Sequence, residues 1–76
     1  MLSEIIEILE EMHPDVDFST HQRLIDDKVL DSFDIVTLIA ELSNAFDVSI
    51  PAEEIVPENF NSAQALEVMI KRLLDE

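Results

Sequence analysis

The sequence contains no cysteine, no glycine, no tryptophan and no tyrosine. Without cysteine there are no disulfides and no cysteine-based zinc sites, so a chain of 76 residues has to be stabilised by apolar packing. Without glycine there is no phosphate-binding glycine loop and no nucleophile elbow of the hydrolase type. Tight hairpins commonly use glycine in their turns, so its absence favours a helical fold.

Basic residues are also scarce, with 4 Lys and Arg against 18 Asp and Glu and a formal net charge of −14. This balance argues against binding to nucleic acids and to anionic membranes, and it favours partners with basic surfaces. The first residues are acidic where a signal peptide would be basic, and no apolar run reaches the length of a membrane span. Together with the lack of cysteine, these features predict a soluble, cytoplasmic monomer.

Apolar residues at helical spacing predict a first helix from about residue 3 to residue 13, where Pro14 stops it. A long connection over residues 15–31 follows. Apolar side chains are spaced through this connection, namely Val16, Phe18, Leu24, Ile25, Val29 and Leu30. A loop of this length in a small domain needs a reason. We expect these side chains to pin it across the helices, and we expect the loop itself to be functional.

The second predicted helix covers residues 32–46. Its inward stripe consists of Ile35, Leu38, Ile39, Leu42 and Phe46, widened by Val36. Either Asp31 or Ser32 can cap its first turn, and Asp34 places an acid near the positive end of the helix dipole.

A short third helix is predicted over residues 51–56, beginning at Pro51 and ended by Pro57. Residues 61–64 then form a capping-box variant, with Asn61 as the cap and Gln64 at the third helical position. The fourth helix runs to about Leu74, with Leu66, Met69, Ile70, Leu73 and Leu74 facing inward. The sequence thus predicts one all-α domain over residues 1–76, a compact four-helix bundle with three longer helices and one short helix.

Residues suited to catalysis are few. His13 and His21 are the only histidines, and their spacing is not that of a zinc-binding helix. His13 suits the last turn of the first helix, where positive charge is favoured. The acidic residues of the first connection are more typical of a solvated face than of a specific metal site, since an EF-hand pattern is absent. We therefore expect neither an enzyme nor a metal protein.

The segment Asp31-Ser32-Phe33 stands at the start of the second helix. Taken alone, Asp31 and Ser32 are common helix caps. The segment nevertheless resembles the Asp-Ser-Leu signature of the acyl carrier protein family, and the residues downstream agree. The stretch over residues 46–51 resembles the family's segment after the second helix, and residues 53–55 resemble its short third helix. The resemblance covers nearly the whole chain, from residue 2 to residue 74.

The resemblance implies that Ser32 is the attachment site for 4′-phosphopantetheine, delivered from coenzyme A by a phosphopantetheinyl transferase. Asp31 matches the acid of the motif and would help to present the site to that Mg²⁺-dependent enzyme. The thiol of the arm would hold an acyl or aminoacyl group as a thioester and deliver it to ligases or synthases with basic docking surfaces. The second helix is the family's usual docking surface, and the candidates on it are Phe33, Asp34, Thr37 and Glu41. Phe33 is expected to be exposed.

Three departures from the family pattern bear on the cargo. Phe33 replaces the usual leucine. Val29 and Lys28 stand where fatty-acid carriers and D-alanyl carriers, respectively, have a glycine. The second helix is also less acidic, with Thr37 at a position where an acid is common. These departures favour a specialised acyl carrier, or a D-alanyl or other aminoacyl carrier, over a carrier for housekeeping fatty-acid synthesis.

The main rival hypothesis is an acidic helical interaction module without a prosthetic group, in which Ser32 is only a cap. That hypothesis predicts a loss of about 1 kcal/mol of stability for Ser32→Ala, with partner binding intact. A small metal-dependent or acid–base enzyme is a weaker alternative, because it needs a pocket of convergent polar groups that the sequence does not indicate.

Overall fold

Four α-helices and one 3₁₀ turn follow one another along residues 1–75, the part of the chain that the structure describes. In this computed structural model the helices are α1 (Leu2–Met12), α2 (Ser32–Phe46), α3 (Pro57–Phe60) and α4 (Ala63–Leu74). The 3₁₀ turn is Ala52–Glu54, and no strand occurs within the described residues. The predicted all-α bundle of three longer helices and a short one is confirmed.

The helices enclose one apolar core. Helix α1 contacts both α2 and α4, while α3 packs against α4. The buried side chains are Ile5, Leu9, Phe18, Leu24, Leu30, Leu38, Leu42, Val48, Phe60, Ala63, Leu66, Met69 and Ile70. No polar side chain among the described residues is buried with them, so apolar burial is the main favourable contribution to folding.

The long first connection is pinned by its apolar residues, as the sequence predicts. Phe18, Leu24 and Leu30 are buried in the core, and Val16, Ile25 and Val29 pack against it. Asn61 fastens the same segment from the other side. Its Oδ1 accepts hydrogen bonds from the backbone nitrogens of Ile25 at 2.9 Å and Asp26 at 3.2 Å.

The segment before α4 differs from the prediction. The expected helix over residues 51–56 is only the 3₁₀ turn, and Pro57 begins α3 where it was expected to end a helix. Proline suits either role, because its fixed φ fits a first helical position as well as a stop. The cap of α4 is Ser62, whose hydroxyl accepts from the nitrogen of Ala65. Asn61 is occupied with the first connection.

Two side chains that were expected to face inward are exposed. Val36 on α2 is 68% exposed and Leu74 at the end of α4 is 46% exposed. Both extend an apolar stripe in the sequence, but each lies at an edge of its helix that no neighbouring element covers. Residue type alone therefore overstated the width of the buried face on α2 and the length of the one on α4.

Candidate functional site

Ser32 is the first residue of α2, and its neighbours cap the helix without it. The Asp31 Oδ1 accepts from the nitrogen of Asp34 at 2.8 Å, and the Asp34 Oδ2 accepts from the nitrogen of Asp31 at 3.3 Å. This reciprocal pair is a capping box. Of the two caps considered from the sequence, Asp31 is the one that forms. The hydroxyl of Ser32 takes no part in the cap, and the residue is exposed.

The chain reaches Ser32 through a tight turn. The backbone nitrogens of Val29 and Leu30 both donate to the carbonyl oxygen of Leu24, at 2.9 and 3.0 Å. Lys28 completes the turn with φ of 60°, the left-handed region. Burial of Leu24 and Leu30 anchors both ends of the turn, so Asp31 and Ser32 emerge from the surface directly after a fixed point.

His13 joins this site from the end of α1. Its Nε2 lies 2.8 Å from the Oδ2 of Asp34, although the two residues are 21 positions apart in the sequence. The carboxylate of Asp34 thus binds both His13 and the backbone nitrogen of Asp31. The end of α1 is connected in this way to the first turn of α2.

The surroundings of Asp34 stabilise its ionised form. Partial burial acts to raise the pKa of its carboxyl. The hydrogen bonds from His13 and from the nitrogen of Asp31, with the attraction of the His13 charge, outweigh that effect and leave the pKa below its usual value. Asp34 is therefore a carboxylate at neutral pH, and its partners His13 and Asp31 belong to the same chain.

The other predicted docking residues lie along one side of α2. Phe33 is 79% exposed, as expected, and Val36 one turn later is exposed as well. Thr37 is half-buried and Glu41 is exposed. The spacing of Phe33, Val36 and Ala40, all exposed, gives α2 an apolar stripe beside Ser32 that the core does not use.

A small apolar cleft opens behind α2. Its volume is about 80 Å³, and its lining consists of Ile25, Ile35, Ile55, Val56, Pro57 and Phe60. This volume is far below the roughly 300 Å³ at which small-molecule sites begin. The cleft in this conformation therefore has no room for a long acyl chain.

A second, more open groove lies at the other end of α2, lined by Asp47, Val48, Ser49, Ile50, Pro51, Leu73 and Leu74. Because α2 has 15 residues, its two ends are about 20 Å apart and this groove is not part of the Ser32 site.

Within residues 1–75, no group of three or more His, Asp or Glu side chains is arranged to hold a metal ion. No helix in that range is long and apolar enough to cross a membrane.

From the sequence, Ser32 and Asp31 were expected to form the site and Phe33 was expected to be exposed. The exposed stripe on α2 was not predicted, because Val36 was expected to face inward, and neither was the contact of His13 with Asp34. A helix-terminal histidine carries no signal that identifies a partner 21 residues away. Lys28 did carry a signal, because the family resemblance implies a glycine at that position in D-alanyl carriers and glycine tolerates positive φ.

The chain is similar to known carrier proteins. It is 40% identical to the D-alanyl carrier protein of Streptococcus sanguinis over 65 residues, which is 84% of this chain and 82% of the relative. Identities to the D-alanyl carrier proteins of Streptococcus gordonii and Streptococcus mutans are 38% and 37% over the same shares. No protein-family model matches the chain.

Two solved structures that contain a carrier protein are also similar to this chain. One is the crystal structure of the Bradyrhizobium japonicum glycine:[carrier protein] ligase complexed with its cognate carrier protein and an analogue of glycyl adenylate. The similar chain there has a TM-score of 0.68 and 37% identity, over 93% of this chain and 91% of that one. The same ligase complexed with glycylated carrier protein gives a TM-score of 0.66 and 38% identity, over 91% and 92%.

Proposed function

The chain belongs to the same carrier protein family as the D-alanyl carrier proteins, and on this basis we propose that it is an aminoacyl carrier bearing 4′-phosphopantetheine on Ser32. The observation that carries the assignment of the site is the position of Ser32. It is exposed at the first position of α2, and its hydroxyl is left unused because Asp31 and Asp34 form the cap.

The residues at the site fit the group. A phosphodiester on Ser32 would stand at a helix N-terminus, where free backbone N–H groups and the helix dipole favour an anion. The tight anchoring of Leu30 holds the attachment point at the surface, with open solvent around it for an arm. When bound, the group supplies a thiol that holds the cargo as a thioester.

Attachment requires a separate phosphopantetheinyl transferase, and this chain would supply only the nucleophile. The Oγ of Ser32 forms a bond to the phosphorus that carries the pantetheine arm of coenzyme A. The bond from that phosphorus to the nucleotide breaks, adenosine 3′,5′-bisphosphate leaves, and the serine proton passes to the transferase. The chain itself would catalyse no step of this reaction, so it needs no internal base. We expect the reaction to take place in the cytoplasm.

We propose a small amino acid as the cargo. Three relatives are named D-alanyl carrier proteins, and a structural neighbour is described as a ligase complexed with glycylated carrier protein, at similar identity to this chain. The cleft of about 80 Å³ behind α2 is compatible with this cargo, because an aminoacyl group can remain on the arm in solvent whereas a long acyl chain gains from burial. A specialised acyl carrier is the second hypothesis, and a carrier for fatty-acid synthase is the third.

The loading enzyme would be an amino-acid-activating ligase that docks on α2. Phe33, Val36 and Thr37 offer an apolar contact next to Ser32, and Glu41 offers an anion to a basic surface on the partner. Asp34 lies in the same turn, but its carboxylate is bound by His13 and Asp31. We therefore expect its contribution to docking to come through the shape of the turn.

The attachment is tested by intact mass after incubation with coenzyme A, Mg²⁺ and a broad-specificity transferase. The parent protein should gain the mass of one phosphopantetheine. Ser32→Ala should gain nothing, and Ser49→Ala, which removes another exposed serine, should be modified like the parent. A folded parent without prior cofactor that gains no mass would overturn the proposal.

The stability of Ser32→Ala tests whether Ser32 contributes to the cap of α2, as the interaction-module hypothesis assumed. If Ser32 were the cap, the variant would lose about 1 kcal/mol. Because Asp31 is the cap, we expect a change below about 0.5 kcal/mol, within the range of ordinary surface substitutions. Urea denaturation followed by circular dichroism at 222 nm gives the comparison.

Docking is tested with two valines of similar exposure. Val36 on α2 is 68% exposed and Val68 on α4 is 65% exposed. Val36→Ala should raise the KM for the phosphopantetheinylated carrier about threefold to tenfold in a loading assay with an aminoacyl carrier ligase, as for a residue at a contact centre. Val68→Ala should leave the KM unchanged. Equal effects of the two variants would contradict a docking surface on this side of α2.

A further inference from the structure

The first turn of α2 is held by a chain of hydrogen bonds that begins outside the helix. His13 Nε2 contacts Asp34 Oδ2 at 2.8 Å, the same oxygen accepts from Asp31 N, and Asp31 Oδ1 accepts from Asp34 N. Residues 32 and 33 lie between the two aspartates of this chain. These hydrogen bonds therefore border the backbone of Ser32 on both sides.

Asp31, Ser32 and Phe33 are all exposed, so core packing fixes the backbone at Leu30, before this turn, and not within it. Within the turn, polar contacts set the orientation, and His13 supplies one of them from outside α2. The turn is also acidic, since Asp31 and Asp34 hydrogen-bond each other's backbone nitrogens and bring two carboxylates close together. A donor from outside the helix relieves this repulsion and fixes the carboxylate of Asp34 in one orientation.

From this geometry we propose that His13 is a positioning residue for the modification of Ser32. It orients Asp34, Asp34 completes the capping box with Asp31, and the box presents the Ser32 hydroxyl to the transferase. This inference rests on the proposed function, because it concerns the same hydroxyl. It assigns no contact between His13 and either the transferase or the phosphopantetheine.

The nitrogen involved allows a sharp choice of variants. The side-chain amide nitrogen of glutamine reaches about as far from the backbone as Nε2 of histidine, whereas that of asparagine reaches only as far as Nδ1. His13→Gln should therefore retain the contact with Asp34, while His13→Asn and His13→Ala should lose it. The control is His21→Ala, because Nε2 of His21 lies 3.2 Å from Asp27 and away from the capping box.

The primary measurement is the steady-state rate of phosphopantetheinylation of these variants. We expect kcat/KM to fall about tenfold for His13→Ala and His13→Asn, mainly through kcat, because one hydrogen bond to a charged group is lost while the side of α2 beyond the first turn is unchanged. His13→Gln should stay within about twofold of the parent by the same argument, and His21→Ala should equal it. Each variant is assayed at a temperature at which circular dichroism shows it to be folded, so that the rates do not reflect a loss of folded protein.

A second measurement does not depend on the enzyme. Hydrogen exchange of the backbone amides of Asp31 and Asp34 should be faster in His13→Ala and His13→Asn than in His13→Gln or the parent. Parent-like rates and exchange in His13→Ala would overturn the inference while leaving the proposed function intact. So would equal defects in the glutamine and asparagine variants. A parent protein that is not modified at all would overturn both.

Discussion

Lys28 is a residue at which a single substitution should stabilise this protein. Its φ of 60° lies in the left-handed region, which costs a residue with a Cβ roughly 1–2 kcal/mol relative to glycine. The turn is nonetheless formed, because Leu24 and Leu30 are buried on either side and the nitrogen of Lys28 donates to the carbonyl oxygen of Ile25 at 3.0 Å. The packing of the core therefore compensates for local strain.

Lys28→Gly removes the strain and keeps the backbone hydrogen bond. Glycine makes the unfolded chain more flexible, which offsets about 0.4–1 kcal/mol of the gain. The net stabilisation should be about 0.5–1 kcal/mol, equivalent to a rise in Tm of roughly 2–8 °C for a domain of this size. The substitution also deletes one of only four basic side chains, so a control for charge is required.

Lys28→Ala is that control, because it loses the same charge but keeps a Cβ at positive φ. Thermal denaturation followed by circular dichroism should give a higher Tm for the glycine variant than for the alanine variant, and the alanine variant should be close to the parent. If the two variants have equal Tm values, the strain at residue 28 does not exceed the cost of the added chain flexibility and the reasoning is refuted.

Three further substitutions test contacts around the site and the core. Asp34→Asn should destabilise the protein near pH 7 but lose less stability than the parent on acidification. The lowered pKa of Asp34 contributes stability that is present above its unfolded pKa and is lost as the pH falls through the folded value, which acid titration of circular dichroism measures. Arg72→Ala should lower the Tm, because Arg72 bonds both carboxylate oxygens of Glu54 and joins α4 to the 3₁₀ turn, and 0.5 M NaCl should reduce the difference. Asn61→Ala should cost about 1–3 kcal/mol in urea denaturation, since two backbone nitrogens of the first connection lose their acceptor.

The sequence was sufficient where local signals agreed. Helix α2 was predicted with its observed bounds, because an apolar stripe, an N-terminal acid and a change of pattern after Phe46 all coincide. Residues 51–62 were less predictable. Pro57 is compatible with either the end or the beginning of a helix. Either Asn61 or Ser62 could cap α4 by residue type, and Ser62 does so because Asn61 accepts hydrogen bonds from the first connection.

Contacts between residues distant in the sequence were the features that the sequence predicted least well. The pairing of His13 with Asp34 has no local pattern, because it depends on how α1 and α2 pack. The exposure of Val36 likewise depends on where the neighbouring helices end, so its apolar character was misleading. The sequence was enough to propose Ser32 as the attachment residue, while the structure was needed to identify the contacts of His13 and Asp34 beside it.

Asp31 combines two roles that one substitution can separate. As the cap it accepts from the nitrogen of Asp34, and as the acid of the motif it stands next to the hydroxyl that we propose is modified. Asparagine caps helices about as well as aspartate, so Asp31→Asn should change stability by less than about 0.5 kcal/mol, while Asp31→Ala should lose about 1 kcal/mol. Both variants lack the charge.

If the charge of Asp31 helps the Mg²⁺-dependent transferase, as the family resemblance implies, Asp31→Asn should be as stable as the parent but modified more slowly. We expect this outcome, because Asp34 is bound by His13 and leaves Asp31 as the exposed carboxylate beside Ser32. A parent-like rate for Asp31→Asn, with a slow rate for Asp31→Ala, would instead show that the cap alone matters. In that case Asp31 would contribute only by capping α2, which leaves the hydroxyl of Ser32 free.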